Sequence, residues 1–283
     1  MPALPVTLRT MVESDVAAGL RLCRQSHWNQ VDRDWRQFLR QTPGGAAVAV
    51  GSDGEVVGSV ATIRYATLDA PGSLAWIAMV LVDRGSRGGG IGRALLHHAL
   101  DLVSDVPAVG LDATPLGQPL YETLGFRADS CLMRLQRSRD AAPAAGTHGS
   151  RTRRAVPTDL DAMAALDATA TGLDRRAMIA WLLDGAPELA WVSDGPQGID
   201  GVVLGRHGHD ASQLGPIIAT SRDVAGDLIG ACVRSQPSTP FFLDVADDRP
   251  GWRAAVERLG FEPQRPFTRM YRGPGRPAGD ASR

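Results

Sequence analysis

The sequence contains no lysine, so all 30 of its basic side chains are arginines. A chain without lysine cannot form a lysine Schiff base, anchor pyridoxal phosphate or supply the lysine of a P-loop. The 31 acidic side chains bring the net charge to −1, which gives no reason to expect a nucleic-acid partner. These absences exclude several large classes of enzyme and binding protein.

Cysteine is also scarce. Cys23, Cys131 and Cys232 form neither a CxxC pair nor a disulfide framework, which fits a reducing compartment. Residues 1–15 already contain acidic side chains, unlike a secretory signal peptide. No apolar run approaches the roughly 18 residues that a membrane span needs. We therefore expect a cytoplasmic protein with no membrane or nucleic-acid partner.

The chain has 283 residues, enough for two domains, and its halves resemble each other. Three pairs of segments carry the likeness: 6–23 with 151–168, 48–60 with 190–203, and 120–126 with 255–261. A stretch rich in Ala, Gly and Pro separates the halves. We predict a domain over 1–137, a linker over 138–152, a second domain over 153–273 and a disordered tail over 274–283.

Apolar periodicity in the first half predicts an α/β fold, a mixed sheet with helices on its faces. The expected strands are 6–10, 46–51, 55–66, 73–82, 108–113 and 130–136. The expected helices are 13–25, 32–41, 117–124 and one that follows a loop within 84–104. The element order is βααβββαβαβ.

The segment LAWIAMVLVDRGSRGGGIGRALLHHALDLV at 74–103 carries the clearest chemistry. It combines an apolar strand, a turn rich in Gly and Arg, and an amphipathic helix. Such a turn directs backbone N–H groups and the helix dipole at one point, which suits a phosphate or pyrophosphate. A P-loop needs lysine, and a Rossmann GxGxxG turn fails because Leu95 occupies its last position. The template Arg-x-x-Gly-x-Gly is met by Arg87, Gly90 and Gly92.

That segment resembles motif A of the GCN5-related N-acetyltransferases (GNAT), which bind acetyl-CoA. Tyr121, four residues before Gly125-Phe126, matches a second feature of that family. The resemblance implies two tandem GNAT-like units, each a splayed mixed sheet, with acetyl-CoA as cosubstrate and no metal. One departure is Arg84, where the family usually has proline. The cofactor-binding residues it implies are Val80, Leu81, Val82, Arg87, Gly88, Gly89, Gly90, Ile91, Gly92 and Arg93.

The same resemblance makes the Tyr121 phenol a catalytic general acid for the departing thiolate, with simple packing on the sheet as the alternative. The general base is open, because the strand where relatives place a Glu reads Trp76, Ile77, Ala78, Met79. Asp112 is a candidate base or substrate ligand, a strand-end cap being an equal alternative, and a water relay is a third route. His97 and His98 point to different helix faces and do not suit a metal.

On the acceptor side, Trp28 and Asn29 lie in the loop between the first two helices. They line a substrate pocket in one interpretation, and Trp28 is a core lid in the other. In the second half, LGPIIATSRDVAGDLIG at 214–230 has no phosphate loop, and Asp223 would repel a pyrophosphate. We interpret this half as degenerate, with Asp174 either a substrate residue or part of a solvated charge run.

The sequence thus predicts an N-acetyltransferase that moves an acetyl group from acetyl-CoA to a primary amine of a small molecule or peptide. The alternative is an acyl-CoA-sensing or regulatory module without turnover. The missing strand Glu favours that alternative, and Tyr121 favours the enzyme.

Overall fold

The structure, a computed structural model, describes residues 6–68, 73–142, 151–246 and 251–274. Most of the predicted linker and the tail from residue 275 lie outside the described residues. The chain forms two compact units. The first contains the described residues of Met1–Ala66, Gly72–Asp129 and Arg269–Arg276; the second contains those of Thr67–Pro71, Ser130–Thr268 and Pro277–Arg283.

The first sequence copy has the predicted element order, and the α/β prediction is confirmed. Its elements are β1 (Val6–Thr10), α1 (Val16–Gln25), α2 (Asp32–Gln41), β2 (Ala46–Gly51), β3 (Val56–Ala66), β4 (Ser73–Val82), α3 (Ile91–Leu102), β5 (Ala108–Ala113), α4 (Gln118–Thr123) and β6 (Arg127–Arg137). The predicted first helix begins with a short 3-10 turn over Glu13–Asp15.

The second copy repeats this order. Its elements are β7 (Thr152–Arg154), α5 (Leu160–Thr171), α6 (Arg176–Gly185), β8 (Trp191–Gly195), β9 (Gly198–Arg206), β10 (Ser212–Ala219), α7 (Arg222–Ser235), β11 (Phe241–Ala246), α8 (Trp252–Glu257) and β12 (Glu262–Arg272).

An ion pair at the start of each copy repeats atom for atom. Arg9 donates to both carboxylate oxygens of Asp15 at 2.7 and 2.8 Å. Arg153 does the same to Asp159 at 2.7 and 3.0 Å. In both copies the carboxylate also accepts the backbone N–H three residues before it, which fixes the turn into the first helix. The duplication read from the sequence therefore extends to individual hydrogen bonds.

The compact units partly exchange their last strands: residues 130–137 of β6 belong to the second unit, and residues 269–272 of β12 belong to the first. In the first unit the order is β1-β2-β3-β4-β5, and the end of β12 lies beside β5. In the second unit the order is β6-β11-β10-β9-β8-β7. The predicted boundaries follow the order of the chain, whereas the contacts that build each unit cross them. The exchange is possible because β6 and β12 occupy equivalent positions in the two copies. Each strand can therefore pair with the sheet edge of the unit that the other copy mainly builds.

The apolar face of α3 fixes the position of the glycine-rich turn. Ile91, Leu95, Leu96 and Ala99 are buried against the sheet, as the sequence pattern predicts. The helix approaches β3 so closely that a Cβ at Gly58 would lie 2.9 Å from the Leu95 side chain. The N-terminus of α3 is therefore held next to the end of β4.

Candidate active site

Strands β4 and β5 pair over only part of their length. Their parallel register runs from Leu74–Ala108 to Trp76–Gly110 and stops there. Within the described residues, the stretch of β4 from 77 to 82 has no partner on β5, although β5 continues to Ala113. The two strands separate beyond Trp76, which leaves main-chain groups of β4 available on that side.

A β-bulge in β4 accompanies this separation. The register with β3 shifts between Ser59 and Ala61, and Met79 adopts a positive φ of 57°. The Ser59 hydroxyl donates to the Met79 carbonyl at 2.9 Å and holds the bulge in place. A bulge bends the strand and increases its twist. The end of β4, with Val80, Leu81 and Val82, thus leads away from β5 and toward the glycine-rich turn.

The turn before α3 has the geometry of an anion cradle. Gly88 and Gly90 have φ of 81° and 83°, and the space on their Cβ side is open within 4 Å. The backbone N–H groups of Gly90, Ile91 and Gly92 donate to no group of the described residues. Unpaired N–H groups at a helix N-terminus are the donors that a phosphate requires. The residues present therefore fit the pyrophosphate of a coenzyme A ester.

Hydrogen bonds to the Asp83 carboxylate stabilise the start of this turn. The Asp83 carboxylate accepts from Arg21 and Gln25, both at 2.9 Å, and from the Gly85 N–H at 3.0 Å. These hydrogen bonds, that of Gln25 above all, lower the pKa of Asp83. The arginine also balances the carboxylate charge, so Asp83 does not oppose an anion bound at the turn.

The arginines of the turn are exposed, and each already has a contact. Arg84 Nη2 lies 3.0 Å from His27 Nε2. Arg87 donates from Nε to the Val82 carbonyl at 3.1 Å. Arg93 Nη2 donates to the Thr123 hydroxyl at 3.2 Å. The sequence did not reveal the contact between Arg84 and the end of α1, because it joins segments that are distant in the chain.

Tyr121 lies on α4, beside the first turn of α3. A Cβ at Gly92 would lie 3.5 Å from the neighbouring Leu120 side chain. The Tyr121 ring meets Phe126 edge-on, with 6.1 Å between the ring centroids. Burial raises the pKa of Tyr121 to about 12, so the phenol is protonated at neutral pH.

Asp112 is bound by an arginine that the sequence analysis did not single out. Arg269 of β12 donates to both Asp112 oxygens and lies over the Trp76 ring, 5.1 Å from its centroid. Gly110 makes room for this arrangement, because a Cβ there would lie 2.5 Å from the Trp76 ring. The repeated spacing from Phe126 to Arg134 and from Phe261 to Arg269 is the signal that points to Arg269.

Trp28 and Asn29 follow the end of α1. The Trp28 N–H donates to the Cys23 carbonyl at 2.9 Å, and its half-buried ring packs against the core between α1, α2 and the sheet. Asn29 is buried, with 3% of its surface exposed. The Trp28 ring therefore contributes to the packing of this core.

The structure also describes the surroundings of Asp174, His97 and His98. Asp174 belongs to the second unit, where its exposed carboxylate accepts the Arg176 N–H at 3.0 Å. His97 is exposed and His98 half-buried on α3, and the described residues contain no group of three or more metal-ligating side chains. None of the helices in the described part of the chain is long and apolar enough to cross a membrane.

The second copy starts its corresponding helix without a phosphate turn. α7 begins at Arg222, and the Ser221 hydroxyl accepts the Val224 N–H at 3.2 Å. Asp223 lies in the first turn of this helix. The side-chain cap occupies a donor that an anion would use, and the Asp223 carboxylate adds negative charge there.

Comparison with known proteins agrees with this geometry. A model described as "Acetyltransferase (GNAT) family" matches residues 13–126, and one described as "Acetyltransferase (GNAT) domain" matches residues 163–283. The chain belongs to the GNAT acetyltransferase family. It carries two GNAT domains in tandem, as the resemblance implied, and is an acyltransferase.

Individual relatives are distant in sequence. The chain is 24% identical to the uncharacterized N-acetyltransferase YitH of Bacillus subtilis (strain 168), covering 88% of this chain and 85% of YitH. It is 26% identical to a holothin acyltransferase of Pseudoalteromonas sp. (strain SANK 73390), over 77% of this chain and 72% of the other. A solved GCN5-related N-acetyltransferase from Sphaerobacter thermophilus is 18% identical, with a TM-score of 0.68 and 99% of each chain covered. That last likeness shows the fold alone.

Proposed function

We propose that this acyltransferase moves an acetyl group from acetyl-CoA to a primary amine of a small molecule or peptide, with the first copy as the catalytic one. The observation that supports this most strongly is the end of β4–β5 pairing at Trp76 and Gly110, followed by the open glycine turn. A strand with unpaired main-chain groups offers the pantetheine amides the partners that an added strand would have.

Val80, Leu81 and Val82 hold the pantetheine arm in this proposal, through their backbone. The N–H groups of Gly88, Gly89, Gly90, Ile91 and Gly92 hold the pyrophosphate, with the positive end of the α3 dipole behind them. The guanidinium groups of Arg87 and Arg93 add positive charge at the rim. Apolar side chains on β4 are consistent with this role, because the main chain makes the contacts.

Tyr121 is the proposed general acid that protonates the leaving sulfur. A phenol of pKa about 12 is a weaker acid than a thiol in water, whose pKa is about 8.5. Proton transfer from the phenol to the thiolate becomes nearly even in free energy only when the two pKa values are similar. They are similar when the leaving sulfur lies in the same apolar surroundings, because burial raises both pKa values. The proposal therefore requires the thioester to lie against the buried side of α4.

On the acceptor side we propose that Asp112 binds and orients the substrate, with Trp28 and Asn29 lining the pocket. Both Asp112 oxygens accept hydrogen bonds from Arg269, which favours a binding role over that of general base. The amine proton is then removed through water. The relative named for acylating holothin supports a small-molecule acceptor.

A screen of amine acceptors tests the function directly. The protein is incubated with acetyl-CoA and amino acids, polyamines, aminoglycosides or peptides, and release of the CoA thiol is followed. The proposal expects thiol release that depends on one class of amine and exceeds hydrolysis. If acetyl-CoA binds and no amine raises thiol release, the protein is an acyl-CoA-sensing module instead.

A further inference from the structure

The second unit contains an arginine pair around one aromatic ring. Arg134 donates from Nε and Nη2 to the two Asp244 oxygens at 2.7 and 2.8 Å, so its charge is balanced. The Arg134 guanidinium lies 4.8 Å from the centroid of the Phe267 ring, and that of Arg265 lies 4.9 Å from it. Two cations therefore lie beside one ring, and the Asp244 carboxylate is hydrogen-bonded to one of them.

Arg265 is the unbalanced member of this pair. It forms no hydrogen bond or ion pair with any described residue, and its Nε is buried without a partner. Burial lowers the pKa of Arg265, and the charge of Arg134 acts in the same direction, whereas the charge of Asp244 acts in the opposite direction. A half-buried cation beside another cation costs folding energy, and a negatively charged ligand would reduce that cost.

A buried acceptor lies in the same cluster. Gln213 donates from Nε2 to Asp244 at 3.4 Å, whereas its Oε1 is buried without a partner. Gln213 lies one residue before the last paired position of β10 and β11, at Leu214 and Leu243. The register of β10 with β9 shifts directly after Leu214. The cluster therefore lies where β10 and β11 separate, as β4 and β5 do in the first unit.

We propose that the second unit binds a small carboxylate ligand at this point, with the carboxylate on Arg265 and an N–H or O–H of the ligand on Gln213 Oε1. The charges of Arg134, Arg265 and Asp244 leave an excess of one positive charge, which matches a carboxylate. A phosphate dianion fits less well, because Asp244 repels its second charge. This site requires neither acetyl-CoA nor transfer, and so goes beyond the proposed function.

Fluorine NMR with trifluoroacetylglycine as probe tests the site on the full chain. The probe carries a carboxylate and an N–H, and its amide, trifluoroacetylglycinamide, is the neutral control. We expect saturable line broadening with the wild type and affinity at least about tenfold lower with Arg265→Met, since an ionic hydrogen bond is lost. Arg258→Met, which removes an exposed arginine directly after α8, leaves the affinity unchanged.

Three results of the titration would overturn the proposal. They are no saturable broadening with the wild type, equal affinity for the wild type and Arg265→Met, and displacement of the probe by inorganic phosphate at a lower concentration than by acetate.

Thermal melting gives an independent readout. Arg265→Met keeps the stem against Phe267 and removes the unpaired charge, so we expect the Tm without ligand to rise by about 2 °C. Arg134→Met leaves Asp244 without its arginine and lowers the Tm. The probe raises the Tm of the wild type and not that of Arg265→Met. A fall in Tm for Arg265→Met like that for Arg134→Met would show that Arg265 is structural and would contradict the proposal.

Discussion

Arg269 donates to both carboxylate oxygens of Asp112, at 2.9 and 3.0 Å, although the two residues are 157 positions apart in the sequence. About a third of each side chain is exposed, and the guanidinium lies over the Trp76 ring. Arg134 and Asp244 repeat the pair in the second unit. In each unit the strand from the other copy supplies the arginine, so this ion pair joins the exchanged strand to its new neighbour.

Replacing Asp112 by Asn tests this pair and its proposed role with the acceptor. We expect the variant to lose about 1 kcal/mol of unfolding free energy, because a partly exposed ion pair contributes little more. The KM for the amine rises about tenfold or more, and the Kd for acetyl-CoA does not change. Asp105→Asn is the matched control, since its side chain is 70% exposed in a pair with Arg64. Equal KM values for both variants and the wild type would remove Asp112 from the acceptor site.

Gly90→Asp places a side chain and a negative charge at the proposed pyrophosphate site. Binding of acetyl-CoA, measured by calorimetry, is expected to be lost. Gly54→Asp is the control, because Gly54 also has a positive φ, 84°, and open space on its Cβ side. The backbone strain is thus similar in both variants, about 1 kcal/mol, while only one affects the turn before α3. If both variants bind acetyl-CoA equally, the turn does not hold the cofactor.

Tyr121→Phe keeps the ring and removes only the phenolic hydroxyl. Turnover is expected to fall by roughly 10²-fold or more, with the Kd for acetyl-CoA nearly unchanged, because general-acid catalysis contributes on that order. Steady-state kinetics is measured for Tyr121→Phe and for the control variant Tyr65→Phe, which changes a tyrosine of β3. The comparison separates the effect of the Tyr121 hydroxyl from a general effect of removing a tyrosine hydroxyl. Wild-type kcat in Tyr121→Phe would leave the ring with a packing role only.

The environment of Tyr121 can be measured without substrate. Its pKa of about 12 lies above the ordinary value near 10, so folding stabilises the neutral phenol. That contribution to stability is fully present below pH 10 and is lost as the pH rises through about 12. Phenolate absorbance of the wild type minus that of Tyr121→Phe is expected to titrate near pH 12. A difference curve centred near pH 10 would mean that the ring is exposed.

Local patterns in the sequence were sufficient to predict the elements of the first copy and the glycine turn. The apolar spacing from Ile91 to Ala99 predicted both the helix and its buried face, because helical periodicity depends only on residues that are close in the sequence. The exchange of β6 and β12 is different in kind. β6 and β12 could each pair with the open sheet edge of either copy, beside β5 or beside β11. The composition and periodicity of the two strands are the same in both cases, so they do not predict which edge each strand joins.

The candidate site shows the same division. Gly88 and Gly90 were predicted because positive φ and close approach to an anion leave a local mark in the sequence. The bulge at Met79 and the contact of Arg269 with Asp112 arise between strands and leave no such mark. The repeated spacing from Phe126 to Arg134 and from Phe261 to Arg269 was the available signal, and it identifies the equivalent arginine without its partner.

Calorimetric titration of the full chain with acetyl-CoA tests the central claim most directly. Among the described residues, the glycine turn before α3 in the first copy has unpaired backbone N–H groups, whereas Ser221 caps the corresponding helix of the second copy. The account predicts one acetyl-CoA per chain, and no binding to Gly90→Asp. Two equivalent sites per chain, or one site that Gly90→Asp leaves intact, would contradict it.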